Sequence, residues 1–208
     1  SMKSPTQSPI MATRSVKFLL VAALLALVPT FASAHVLPDG SSHPHGLAEG
    51  FSHPLFGLDH LLAMLAVGLW AVQQKGRAVW LIPLTFVSTL VLGGFLGLSN
   101  INIPFVELFI AGSLLVLGLL ISTSVKFLPV FSMALVGFFA LFHGFAHGHE
   151  MPQSASAISF SLGFVTATLL LHGTGMWLGY SLKRIQQPLF IRLAGATISL
   201  CSIYFFIH

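Results

Sequence analysis

His53-Pro54-Leu55-Phe56-Gly57-Leu58-Asp59-His60 opens an apolar stretch that continues to Val72, and Phe142-His143-Gly144-Phe145-Ala146-His147-Gly148-His149-Glu150 closes another. The apolar flanks of both are long enough to cross a bilayer, which needs about 20 residues as a helix. An ionisable side chain at membrane depth costs roughly 2.5–3.5 kcal/mol on insertion scales, so such groups are kept for a pathway, a relay or a ligand. Imidazole together with carboxylate suits a first-row transition metal.

Composition agrees with the bilayer reading. Of 208 residues, 55% are hydrophobic and 7% charged, against about 25% charged in an average soluble domain, and the mean hydropathy is +0.92. The net charge of +4 comes from basic residues scattered over short loops and the N-terminus. They form no patch for nucleic acid, so the expected partners are the lipid bilayer and an ion. Cys201 is the single cysteine, which excludes an intrachain disulfide and a thiolate cluster and leaves nitrogen and oxygen as ligands.

The N-terminus reads as a secretion signal over 1–34 with an N-terminal extension. Arg14 and Lys17 precede the apolar run Phe18 to Val28, and Ala32-Ser33-Ala34 is a small-x-small cleavage site. Cleavage there leaves His35 first; the alternative is an uncleaved anchor. Met11 is a second candidate start.

Apolar windows at about 54–73, 78–98, 104–122, 127–147, 156–180 and 188–207 then predict an all-α polytopic membrane protein with six transmembrane helices. The expected organisation is a signal peptide 1–34, an exported His-rich segment 35–52 and a six-helix domain 53–208. With the mature N-terminus exported, the first, third and fifth interhelical loops and their flanks are cytoplasmic and hold Lys75, Arg77, Lys126, Lys183, Arg184 and Arg192. No Lys or Arg of the mature chain is left outside, as the positive-inside rule requires. Both termini are expected outside.

This topology puts the two clusters on one side. In the first span His53 and His60 are seven residues apart and therefore on one helical face, with Met64 a turn beyond; in the fourth, His143, His147 and Glu150 follow i, i+4, i+7 spacing. Pro54 suits a first helical turn. Asp59 beside His60 is hard to explain as structure, whereas Met64 reads as core. Glu107, near the outer end of the third span, and His172, within the fifth, are candidates for the ion's path. The segment 35–52 carries His35, Asp39, His43, His45 and Glu49 without a basic residue, and tethered at the mouth it would concentrate a divalent cation.

His53-Pro54-x-x-Gly57-x-Asp59-His60-x-x-Ala63-Met64, Phe142-His143-Gly144-x-Ala146-His147-Gly148-x-Glu150 and Gly163-Phe164-x-x-Ala167-Thr168-x-x-Leu171-His172 together resemble the HupE/UreJ family of hydrogenase and urease accessory proteins. The resemblance spans essentially the whole chain. It implies a permease of the bacterial inner membrane, with periplasmic termini, that takes up Ni²⁺ or Co²⁺ for metalloenzyme maturation. The metal is then cargo and not a bound cofactor. The family's metal-associated residues fall on His53, Asp59, His60, His143, His147 and Glu150, and the role of His149 stays open. No Gly-x4-Gly-Lys-[Ser/Thr] occurs, so no ATP hydrolysis of that type is expected.

Another class fits part of the pattern. Intramembrane zinc hydrolases of the ceramidase-like type also set histidines, an aspartate and a serine among helices, with Ser161 as the serine here. A metal sensor, or a haem held by His60 and His143, is a further alternative. The clustering near one surface beside a histidine-rich tail suits ion capture better, so a transporter and not an enzyme is expected.

Overall fold

A computed structural model describes residues 46–99, 101–151 and 156–207. The expected signal peptide 1–34, the capture residues His35, His43 and His45, and His208 lie outside the described residues. Seven helices and no strand occur among those described: α1 Leu47–Phe56, α2 Leu58–Gln73, α3 Ala78–Gly97, α4 Val106–Thr123, α5 Pro129–Glu150, α6 Ala157–Arg184 and α7 Pro188–Ile207. In lipid every backbone N–H and C=O must be satisfied within the protein, which is why these apolar runs are helical throughout. Helices α3 to α7 are each long and apolar enough to cross a membrane, and the α1–α2 pair makes up to six spans if taken as one. The ends of α3 to α7 match the expected windows to within a turn.

The first span is different. It breaks at Gly57, whose backbone is extended (φ −85°, ψ 108°), and the two helices meet at 85°. His53 and His60 therefore do not share one continuous helical face, and Pro54 sits in the last turn of α1 instead of a first turn. Proline has no N–H to donate to the Gly50 carbonyl, which weakens α1 just before the break. Helix α1 also begins at Leu47, so the boundary expected between 52 and 53 falls inside a helix. The cause is tertiary packing. Gly50 lies so close to the Phe160 backbone, and Gly163 to that of Leu47, that neither place has room for a Cβ. This close approach holds a polar segment as a helix against α6 that its composition alone would leave as a linker.

Helix α2 is the centre of the bundle. Twelve of its sixteen residues are buried, and it packs against α3, α4, α6 and α7. Sixteen residues rise only about 24 Å, short of the ~30 Å hydrocarbon core, so α2 alone does not span. Around it α3 packs chiefly on α5, α4 on α7, and α1 and α2 on α6. The α3–α5 crossing is an interlock of small residues, in which Gly144 abuts the Leu90 carbonyl and Gly97 that of Phe145. Met64 is fully buried, as expected of core.

The end of the bundle farthest from Gly57 is tied across helices. Gln73 Nε2 donates to Ile121 O at 2.9 Å and Gln74 Nε2 to Val125 O at 3.1 Å, while Phe127 N–H donates to Gln74 Oε1 at 3.2 Å. Arg192 Nε donates to Ser122 O at 2.7 Å, and Lys183 Nζ to Val72 O. These side chains bond carbonyls at and just past the C-terminal ends of α2 and α4, where the helix supplies few partners of its own.

Candidate metal site

The bend at Gly57 creates the site. It turns α1 aside and leaves the first turn of α2 at the floor of a cleft of about 700 Å³, lined among others by Glu49, His53, Asp59, His60, Glu107 and Glu150. Every Asp and Glu among the described residues lies on this cleft, and no Lys or Arg does. The described basic residues belong to the opposite ends of the helices. So one-sided a distribution makes the cleft a strongly negative mouth that draws in cations.

The histidines form a file leading inward. The ring of His53 on α1 stands 4.8 Å from that of His147 on α5, His147 stands 4.3 Å from His60, and His60 stands 5.5 Å from His143, all between centroids. His53 Nε2 also faces Glu150 Oε2 at 3.4 Å. One ligand atom from each of His53, His147 and Glu150 falls within 4.8 Å of the others. Phe160 and Phe164 wall this group on the α6 side, with Phe164 4.2 Å from His147.

Hydrogen bonds decide which imidazole nitrogens are free. Asp59 Oδ1 accepts from His60 Nδ1–H at 2.7 Å and from the His60 backbone N–H at 2.9 Å. A carboxylate only accepts, so the His60 proton sits on Nδ1 and the Nε2 lone pair is exposed to the site. His143 repeats the arrangement with a backbone partner, donating Nδ1–H to Phe139 O at 2.9 Å. The Nε2 atoms of both are buried without a hydrogen-bond partner among the described residues, and so are both ring nitrogens of His147, which is 3% exposed. An unpaired buried polar group costs about 1–3 kcal/mol. Several such groups on neighbouring helices, each with an unpaired nitrogen and its ring close to the next, are what a neutral-imidazole cation site requires. A carboxylate holding the far nitrogen of a ligand histidine is also the usual support for metal ligation.

The remaining candidates separate clearly. Glu107, in the first turn of α4, stands exposed on the rim of the cleft. His149 is exposed and stacks on Phe145 at 6.1 Å, off the cleft. His172 is buried in α6 beyond the file, against Phe86. Ser161 lines a separate crevice of about 30 Å³, where His147 is the one titratable side chain among the lining residues. A hydrolytic serine there has no carboxylate beside it.

Glu49, expected in a cation-collecting segment at the mouth, does line the cleft, and it does so from a helix, Leu47–Phe56, that its composition did not announce. Phe86 escaped as one of 19 phenylalanines, yet it is fully buried and its ring meets both His143, at 5.9 Å, and His172, at 5.1 Å. It offered no signal in sequence.

No solved structure matches the chain. In sequence, residues 22–205 match the family model described as HupE / UreJ protein. A curated relative, Protein HupE of Rhizobium leguminosarum bv. viciae, is 41% identical over 178 residues, which cover 86% of this chain and 91% of that protein. With the family model spanning nearly all the helices described above, the chain belongs to the HupE/UreJ family of membrane proteins.

Proposed function

We propose that this protein is a permease of the bacterial inner membrane that admits Ni²⁺ or Co²⁺ to the cytoplasm for maturation of a metalloenzyme such as hydrogenase or urease. The observation that carries this reading is the convergence of His53, His147 and Glu150, with ligand atoms within 4.8 Å of one another, two of the three on a carboxylate-lined cleft and His147 buried beside it. Family membership supports the accessory role, and the nitrogen and oxygen donor set suits both metals.

In this reading the cleft and both termini face the periplasm, and the ends bearing Lys75, Arg77, Lys126, Lys183, Arg184 and Arg192 face the cytoplasm, in keeping with the positive-inside rule. The hydrated ion loses water stepwise. Glu49 and Glu107 raise its concentration at the rim, Glu150 and His53 give the first direct ligands, and His147 with the Nε2 of His60 draws it below the surface. Asp59 holds the His60 ring so that its lone pair points at the ion. A cytoplasm negative by ~100 mV favours inward movement of a dication by roughly 4–5 kcal/mol, at ~2.3 kcal/mol per charge. Facilitated passage therefore needs no second ion. The hydrogen bonds of Gln73 and Gln74 close the far end in this conformation, so passage requires them to open.

The test is uptake of ⁶³Ni²⁺ and ⁵⁷Co²⁺ into cells that express the protein, each metal competing against the other. Accumulation above that of cells carrying a His147→Ala variant is the expected result. Equal accumulation in the two strains removes His147 from the path, and accumulation no higher than in cells without the protein refutes the permease.

A further inference from the structure

Helix α6 carries a second set of unpaired donors that the cleft does not use. Thr168 and His172 are four residues apart and so on one face of the helix. Thr168 is 0% and His172 2% exposed. The Thr168 hydroxyl and both ring nitrogens of His172 have no hydrogen-bond partner among the described residues.

Neighbouring groups show how easily these could have been satisfied. On the same helix Thr166 donates to Leu162 O at 2.7 Å and Thr174 to Leu170 O at 2.8 Å, the ordinary way a helical threonine hides its hydroxyl. Thr168 does not do so. His143 ties its Nδ1–H to the carbonyl four residues before it; His172 leaves the equivalent carbonyl, that of Thr168, alone. Two side chains one helical turn apart thus forgo local partners in the buried centre of the bundle, where each pays for its desolvation.

Their position relative to the imidazole file gives them a use. His172 lies about two turns along α6 from Phe164. The ring it meets is that of Phe86, at 5.1 Å and 82°, and the same ring meets His143 at 5.9 Å. Phe86 thus touches both the last histidine of the file and His172.

We propose that Thr168 and His172 form a second, deeper station for the divalent cation, farther along α6 from the cleft and beside the Phe86 ring that also meets His143. This rests on the reading of the cleft as the place where such a cation enters. One imidazole nitrogen and one hydroxyl oxygen leave the coordination sphere to be completed by water, so the station binds more weakly than the cleft. Weak, successive sites are what passage demands, since an ion must be held strongly enough to enter and loosely enough to leave.

The station is tested by its own spectroscopic signature. In the purified full-length protein with Cys201→Ser, His172→Cys and, separately, Thr168→Cys place a thiol at the station. Co²⁺ bound to thiolate gives an intense near-ultraviolet charge-transfer band that nitrogen and oxygen ligands do not, the thiol proton passing to buffer. The probe is CoCl₂ alone, with ⁵⁷Co equilibrium dialysis of the Cys201→Ser parent reporting occupancy of the cleft. The expected result is a band in each cysteine variant that EDTA abolishes, and none in the parent or in Ser113→Cys, a buried hydroxyl already bonded to Ile110 O. If the parent binds cobalt and the folded variants stay silent, the deeper station is refuted and the cleft reading stands. A band in Ser113→Cys also refutes it, since a thiol anywhere in the core would then suffice. A parent that binds no cobalt removes both. Should one variant fail to fold, the other decides.

Discussion

Asp59 Oδ1 accepts the Nδ1–H of His60 at 2.7 Å and in doing so leaves the Nε2 lone pair free on a ring that stands 4.3 Å from His147 and 5.5 Å from His143. The two neighbours therefore have different tasks, one as a ligand and the other as its support, and substitution should tell them apart. His60→Ala is expected to bring metal uptake to background with the protein still in the membrane. Asp59→Asn keeps an oxygen acceptor for Nδ1–H but loses the charge, and should weaken apparent affinity by about ten- to a hundredfold, the usual cost of losing such a support. Uptake assays over a range of metal concentrations measure both. A His60→Ala variant that transports at the wild-type rate would sink the site at its centre.

Acid should oppose uptake. The metal needs neutral imidazole, and protons compete for the same lone pairs as the external pH falls through about 6.5, where histidine ordinarily titrates. The half-saturating metal concentration is expected to be higher at pH 5.5 than at 7.5 with the membrane potential clamped. Identical values would mean that carboxylates alone capture the ion.

Glu107 acts from the rim and at a distance. Its contribution is field, not ligation, so Glu107→Gln should raise the half-saturating concentration about two- to fivefold at low salt and lose most of that effect above ~0.15 M, where screening shortens the reach of surface charge. The maximal rate should stay as it was. A fall in maximal rate that persists in salt would make Glu107 a direct ligand.

Much of this architecture was legible because lipid imposes a simple demand. A span must be continuously apolar and helical, and the windows for α3 to α7 follow from that alone. The histidine and carboxylate candidates were legible for the complementary reason, since nothing cheap explains them at that depth. The break at Gly57 was not, because a window average cannot register one extended residue, and i+7 spacing placed His53 and His60 together through the wrong geometry. Both reach His147 all the same, by way of an 85° turn and not along one face. The helix that carries Glu49 was missed because it exists through contact with Phe160, far away in sequence. Phe86 was missed because phenylalanine facing lipid and phenylalanine between two imidazoles are written with the same letter.

The α3–α5 interlock makes a prediction about stability. A methyl group at Gly144 would overlap the Leu90 carbonyl oxygen, backbone that cannot step aside, whereas one at Gly173 meets nothing within 4 Å. Gly144→Ala should cost about 1–3 kcal/mol, as overpacking does, and displace His143 and His147 on the same helix. Gly173→Ala should be neutral. Thermal unfolding in detergent compares the two, and equal midpoints would mean that the helices are not in the register described.

The crowding of every described carboxylate onto one mouth has a kinetic consequence. For an uncoupled carrier without a voltage, microscopic reversibility makes the ratio of maximal velocity to half-saturation identical in the two directions. A half-saturation tighter on the cleft side than on the other therefore goes with an inward maximal velocity lower than the outward one in the same ratio. The arrangement gains nothing when metal is plentiful. It matters when the ion is scarce, so the asymmetry is that of a scavenger, built for the lowest concentrations it meets and saturated early above them.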